Sequence, residues 1–270
     1  MAQQPAPRNP STSSLRFISA AVMLPVVLAA VWLGGWIFAA LTGLIAGLMY
    51  WEWQGLCGER GARANLAALA AAAGPVLVVG IGPGLAMIAS LAFALAAGLL
   101  KGGGHRLFLA AGFAYIALAC LGLVWLRGME PDGIRTIIWL GAAVVMTDTC
   151  AYFTGRTLGG PKLAPKISPK KTWSGLIGGI LGAAAAGAIV AAVSSANILT
   201  VTLVSGALAV VAQIGDLAVS KAKRTFGVKD SSNIIPGHGG VLDRFDGILS
   251  TSVVISGLSL AVGESLLAWL

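Results

Sequence analysis

Charge is what this sequence has least of. Only 10 % of its 270 residues are Asp, Glu, Lys or Arg, where a soluble domain carries about a quarter. Cysteine and histidine are scarce as well, at three and two residues. Cys57, Cys120 and Cys150 lie far apart with no CxxC pair, which excludes a disulfide framework and a structural zinc site. Two of them sit inside apolar runs, where a free cysteine behaves as a small hydrophobe. Aromatics make up 7 % and form no stripe with the basic residues. The net charge of +8 therefore does not read as a nucleic-acid site, which interleaves stacking rings with cations.

What fills the chain is hydrocarbon. Hydrophobic residues reach 57 %, the mean hydropathy is +0.88, and uncharged apolar runs of spanning length recur. Such runs read as transmembrane helices; they lack the period-two alternation of barrel strands. The expected fold is an all-α polytopic membrane protein of about nine transmembrane helices, at 17–33, 35–57, 65–81, 84–100, 107–126, 135–155, 173–193, 198–220 and 248–268. Gly34-Gly35 and Gly82-Pro83-Gly84 divide two runs too long for one crossing. Residues 1–16, rich in Pro and Ser, read as a disordered tail, and 17–270 as a single transmembrane domain. The small residues at 178–188 suit close helix packing in lipid.

Basic residues are retained on the cytoplasmic side of membrane proteins. With nine spans, sixteen of the eighteen Lys and Arg fall on the side of the N-terminus, leaving only Arg127 and Arg135 opposite. This places the N-terminus in the cytoplasm.

Three polar patches break the apolar pattern, all on that side. In the first, Asp148, Tyr152 and Arg156 recur every four residues and would line one face of the sixth helix. An aspartate central in a span costs about 2.5–3.5 kcal/mol on insertion scales, so it needs either an ion-pair or a functional reason. In the second, 161–175, Ser168 suits an N-cap and Pro169 a first helical position. The free N–H groups of a helix starting there, with Lys170, Lys171 and Thr172, would bind an anion; an ordinary basic loop on anionic lipid heads reads equally well.

The third patch is SKAKRTFGVKDSSNIIPGHGGVLDRFDG, 220–247, with the helix that feeds it. Gln213, Asp216, Ser220 and Lys223 form a polar stripe on an apolar helix. Asp243 and Asp246 are three apart and would face the same way if helical. Asp216, Asp243 and Asp246 among Lys and Arg suit a divalent cation with phosphate: carboxylates hold Mg²⁺, phosphate oxygens complete its shell, and the cations offset the remaining charge. His238 alone makes no zinc site.

Ser220-Lys221-Ala222-Lys223-Arg224, Lys229-Asp230, Pro236-Gly237-His238-Gly239-Gly240 and Asp243-Arg244-Phe245-Asp246 closely resemble the signature of phosphatidate cytidylyltransferases, also called CDP-diacylglycerol synthases. The 148–175 patch is similar to a second motif region of that family, and RFISAAVMLPVVL at 16–28 to its first helix. The resemblance implies transfer of CMP from CTP to phosphatidate, releasing pyrophosphate. It implies metal ligands at Asp216, Asp243 and Asp246 around a two-cation centre, Mg²⁺ with a second cation such as K⁺. It also implies a homodimer in the bacterial inner membrane with its active site facing the cytoplasm. Lys170, Lys171, Arg224, His238 and Arg244 become the candidate catalytic residues. Asp148, Tyr152, Arg156, Ser168, Thr172, Ser220, Lys221, Lys223, Lys229, Asp230, Gly239 and Gly240 become the candidate substrate contacts. Ser174 departs from the pattern, standing where many relatives are expected to carry Glu.

Two rivals fit less well. A CDP-alcohol phosphotransferase shares an Asp-x-x-Asp-Gly start, but here ILSTSVVISG follows instead of further spaced aspartates. A transporter would place charges at the midplane and carry internal repeats, whereas these charges gather at one face.

Overall fold

In the computed structural model, residues 10–100, 104–235 and 239–270 are described. The elements are α1 (Pro10–Leu33), α2 (Gly35–Leu56), α3 (Ala62–Ile81), α4 (Pro83–Leu100), α5 (Arg106–Arg127), α6 (Gly133–Thr157), β1 (Lys162–Ala164), β2 (Ser168–Thr172), α7 (Trp173–Ser194), α8 (Ile198–Thr225), α9 (Leu242–Val262) and α10 (Leu266–Trp269). Among the described residues, seven helices are long and apolar enough to cross a membrane, and two shorter apolar segments lie at Ala21–Leu33 and Pro83–Ala96. The chain is an all-α polytopic membrane protein. Of the tail expected at 1–16, residues 1–9 lie outside the described residues, and α1 already begins at Pro10.

Glycine punctuates the bundle where the sequence suggested. Gly34 and Gly82 separate neighbouring helices with φ of 63° and 85°, a region L-residues avoid. Between α6, α7 and α8 the small residues do the packing. A β-carbon on Gly178 would lie 2.1 Å from Thr154 Oγ1, and one on Gly187 would lie 2.0 Å from Ser205 Oγ. Trp139, fully buried, donates from Nε1 to the same Ser205 Oγ at 2.8 Å.

Where helices extend beyond the hydropathy reading, they do so for one reason. Apolar windows mark lipid contact, whereas backbone hydrogen bonds continue into the interface. Hence α8 runs to Thr225 instead of 220, and α9 starts at Leu242 instead of 248. Lys221, Lys223, Arg224, Asp243, Arg244 and Asp246 are all helical. Gly263, at φ 80°, stops α9.

The loops that follow even-numbered helices meet at one end of the bundle. Arg224 of α8 donates to Ile167 O between β1 and β2, at 3.3 Å. His105 packs edge-on to Phe226 with centroids 5.3 Å apart, and Ser232 donates to Glu52 near the end of α2, at 2.5 Å. At the other end, Arg127 caps the last carbonyls of α1, donating from Nε to Val31 O at 2.6 Å and from Nη2 to Trp32 O at 3.0 Å. Arg135 pairs with Asp132 at 3.0 Å. The two cations on the sparsely charged side thus have local structural work.

Candidate active site

Three helices each supply one aspartate to the basic end: Asp148 from α6, Asp216 from α8 and Asp246 from α9. The polar stripe of α8 organises them. Gln213 donates to Asp148 Oδ1 at 3.4 Å, and Ser220, one turn after Asp216, donates to Asp216 Oδ1 at 3.1 Å. Lys171 brings its Nζ to 2.6 Å from Asp216 Oδ2, an ion pair without hydrogen-bond alignment. Asp246 Oδ1 accepts from the N–H of Gly247 at 2.8 Å. Asp148, Asp216 and Asp246 lie within electrostatic reach of one another, and Lys171 and Arg244 within reach of Asp148. The buried hydroxyl of Tyr115 on α5 lies near Ser250 and within electrostatic reach of Asp246. Among the described residues no group of three or more His, Cys, Asp or Glu makes a metal centre by itself; what gathers here is hard carboxylate oxygen beside ammonium.

Asp243, three residues before Asp246, takes its hydrogen bonds from partners outside the cluster, although Lys223 lies near both carboxylates. Its carboxylate pairs with Lys223, both side chains nearly inaccessible at 7 % and 8 %. Asp243 Oδ2 accepts from Ser231 N at 2.9 Å, Ser231 Oγ at 3.1 Å and Gly240 N at 3.1 Å. The cause is position in the helix. In the first turn of α9 a carboxylate can fold back over the entering chain and the free N–H groups, whereas Asp246, one turn on, projects at the neighbouring helices.

The sequence reading missed the residue opposite. Glu52 of α2 is fully buried. Its Oε1 accepts from Ser232 Oγ at 2.5 Å and Val241 N at 2.9 Å, and its Oε2 from Ser231 Oγ at 3.0 Å and Leu242 N at 2.7 Å. The available signal was a lone acid within LMYWEWQGL, an expensive residue in a span that needs partners. Those partners are 179 to 190 residues away, so local pattern could not supply them.

The second patch is a correction. Ser168 is not an N-cap: Ser168–Thr172 forms strand β2, paired antiparallel with β1 through Lys162↔Thr172 and Ala164↔Ser168. Pro169 is tolerated there because this two-stranded hairpin has only edges. α7 starts at Trp173, with Thr172 as its N-cap accepting Gly175 N at 3.1 Å. The first-turn N–H groups therefore belong to 173–175. The strand also separates two lysines that looked equivalent. Neighbouring strand residues point to opposite faces, so Lys171 reaches Asp216 while Lys170 is exposed.

Ser174 ties this corner together, donating to Gly159 O and lying 3.0 Å from Thr172 Oγ1. Ser174→Ala is expected to keep most activity and to cost about 0.5–1.5 kcal/mol of stability. A hundredfold loss of turnover in a thermally normal variant would mean the hydroxyl takes part in the chemistry.

The other expected contacts spread around the site. Tyr152 and Arg156 are exposed and joined by an Nη1–Oη hydrogen bond of 2.8 Å. Arg224 also holds Val228 O at 2.9 Å. Lys221, Lys229, Asp230 and Arg244 are exposed at the same end. Gly239, at φ 83°, bridges Ile235. Gly240 has no room for a side chain: a β-carbon would lie 1.9 Å from Ser231 Oγ and 2.8 Å from Glu52 Oε2. His238 lies outside the described residues.

A profile of the cytidylyltransferase family matches residues 14–260, which take in both carboxylate clusters and the hairpin. The chain belongs to the cytidylyltransferase family. Within that family it is similar to proteins named phosphatidate cytidylyltransferase. The relative from Brucella suis biovar 1 (strain 1330) is 40 % identical over 252 residues, covering 91 % of this chain and 92 % of its own. The relative from Brucella melitensis biotype 1 matches to the same extent. That from Rickettsia bellii (strain RML369-C) is 51 % identical over 116 residues, 40 % of this chain and 50 % of its own. The family match and the similarity to the Brucella proteins thus cover most of the chain and not the signature alone.

Proposed function

We infer that the chain is a phosphatidate cytidylyltransferase, making CDP-diacylglycerol and pyrophosphate from CTP and phosphatidate. The observation that carries this reading is the meeting of Asp148, Asp216 and Asp246 with Lys171 at one end of a membrane bundle, in a family member whose near-full-length relatives bear that name. A phosphate oxygen of phosphatidate attacks the α-phosphorus of CTP; the bond to the bridging β-phosphate oxygen breaks, and pyrophosphate leaves. The nucleophile is a phosphate monoester, already anionic near neutral pH, so no strong general base is required. Alignment and charge neutralisation carry the rate.

The chain supplies these through its cations. Lys171, held by Asp216, presents a fixed positive charge beside the carboxylates. Lys221, Lys229, Arg224 and Arg244 add exposed positive charge at the same end, which raises the local concentration of an anionic nucleotide. The residues also fit Mg²⁺, which takes one or two carboxylates plus substrate phosphates. Asp216 and Asp246 would hold it, with Asp148 beside them. When bound, Mg²⁺ would neutralise and orient the nucleotide phosphates. Asp243, expected as a third ligand, has in this reading the separate task of holding Ser231 and Gly240 beside Lys223. A second cation such as K⁺, the homodimer and the bacterial inner membrane rest on the family resemblance.

The test is direct. Purified protein in mixed micelles with phosphatidate and [α-³²P]CTP is expected to move label into the organic phase with Mg²⁺ present and to stop in excess chelator. Label that stays aqueous overturns the function, and full activity in chelator removes the metal from it.

The orientation is tested separately. The reading puts the site in the cytoplasm, supported by the sixteen-to-two distribution of basic residues. In a variant lacking the native cysteines, Lys166→Cys and Lys229→Cys are expected to react with an impermeant maleimide only after the cells are opened. Labelling of both in intact cells would invert the topology.

A further inference from the structure

We propose that Glu52 is a positioning residue for the transfer reaction, holding Ser231 and Ser232 against Val241 and Leu242 and thereby the first turn of α9. This rests on the functional reading above for its kinetic consequence, but not for its structural one.

The geometry is unusually demanding. Four hydrogen bonds converge on one fully buried carboxylate, and they divide evenly: each oxygen takes one hydroxyl and one backbone N–H. The N–H donors are those of Val241 and Leu242, at the start of the helix that carries Asp243 and Asp246. Ser231 Oγ lies 3.0 Å from Glu52 Oε2 and 3.1 Å from Asp243 Oδ2, so its single hydroxyl proton is shared between the two carboxylates. The two carboxylates thus clamp these residues from both sides, and Gly240 fits between them because it has no β-carbon. Glu52 stands on α2, far away in sequence, so it sets where α9 enters the bundle relative to α2.

The even division makes Glu52→Gln a discriminating variant. A hydroxyl can rotate and accept from an amide NH₂, but a backbone N–H cannot. Whichever way the Gln amide turns, one backbone N–H, of Val241 or of Leu242, faces an NH₂. The side-chain volume is unchanged, so packing against the neighbouring helices stays intact while the clamp opens.

Two measurements on the full-length protein test this. Hydrogen–deuterium exchange is expected to accelerate in Glu52→Gln over 231–242, with α5 to α7 unchanged. Kinetically, kcat is expected to fall by about a hundredfold, the cost of a small misplacement of reacting groups, with KM for phosphatidate within about twofold. If Glu52→Gln does not accumulate folded, Ser231→Ala removes the shared hydroxyl and is expected to show the same pattern more weakly, with kcat down about tenfold. Unchanged exchange over 231–242 in the folded variants overturns the clamp. Accelerated exchange with normal kcat in the folded fraction reduces Glu52 to a stabilising contact and overturns the positioning role. Should the wild type itself fail to transfer CMP, the function is wrong while the exchange result still judges the clamp.

Discussion

Asp216→Asn is expected to abolish CMP transfer, by at least about a hundredfold, while the protein still inserts and keeps its melting temperature. Asn is nearly isosteric and can still accept from Ser220, whose hydroxyl lies 3.1 Å from Oδ1. What disappears is the negative charge that a hard cation requires and that holds Lys171 at 2.6 Å. Asp246→Asn should behave alike, since its carboxyl interacts with Asp216 and Asp148. The double variant should be scarcely worse than either single one, because groups acting as a unit are non-additive. If these carboxylates served only to neutralise Lys171, the variants would lose stability and keep normal specific activity. CTP turnover and melting temperature measured on all three decide between the two, and active, stable single variants would sink the metal assignment.

The largest stability effect is expected at Lys223. Its ammonium and the Asp243 carboxylate are almost inaccessible, and removing one partner of such a pair leaves an uncompensated buried charge, at about 3–5 kcal/mol. Lys223→Met should therefore lower the melting temperature sharply. Lys223→Met with Asp243→Leu removes both charges, but it also strips Ser231 N and Gly240 N of their acceptor. The double variant should recover part of the loss in thermal stability, with the loop still loosened. A Lys223→Met protein that melts like the wild type would show that the pair is solvated and contributes little.

These two expectations separate acids that the sequence presents as one set. Asp216, Asp243 and Asp246 stand in a single charged stretch with the helix that feeds it, and both their chemistry and a family resemblance group them. Their division into a cluster with Asp148 and a clamp with Lys223 depends on which helical turn each occupies and on what packs against it. The hairpin shows the same limit. Ser168-Pro169 carries good helix-start chemistry, yet pairing with 162–164 commits it to extended backbone, and that pairing then sends Lys171 inward and Lys170 outward.

Much was nonetheless decided by the sequence alone. Hydrocarbon runs mark a polytopic membrane bundle, Gly34 and Gly82 set where runs divide, and the signature residues identify the family. Each is a local property: a span is recognised by its own twenty or so residues, and a motif by its spacing. The tertiary structure decided the rest, namely the partners of Glu52, the different contacts of Asp243 and Asp246, and the contrast between ion-paired Lys171 and exposed Lys170. Those outcomes rest on contacts between residues as far as 190 positions apart. In a low-dielectric bundle, a buried carboxylate must find its donors wherever packing brings them, and no local pattern records where that is.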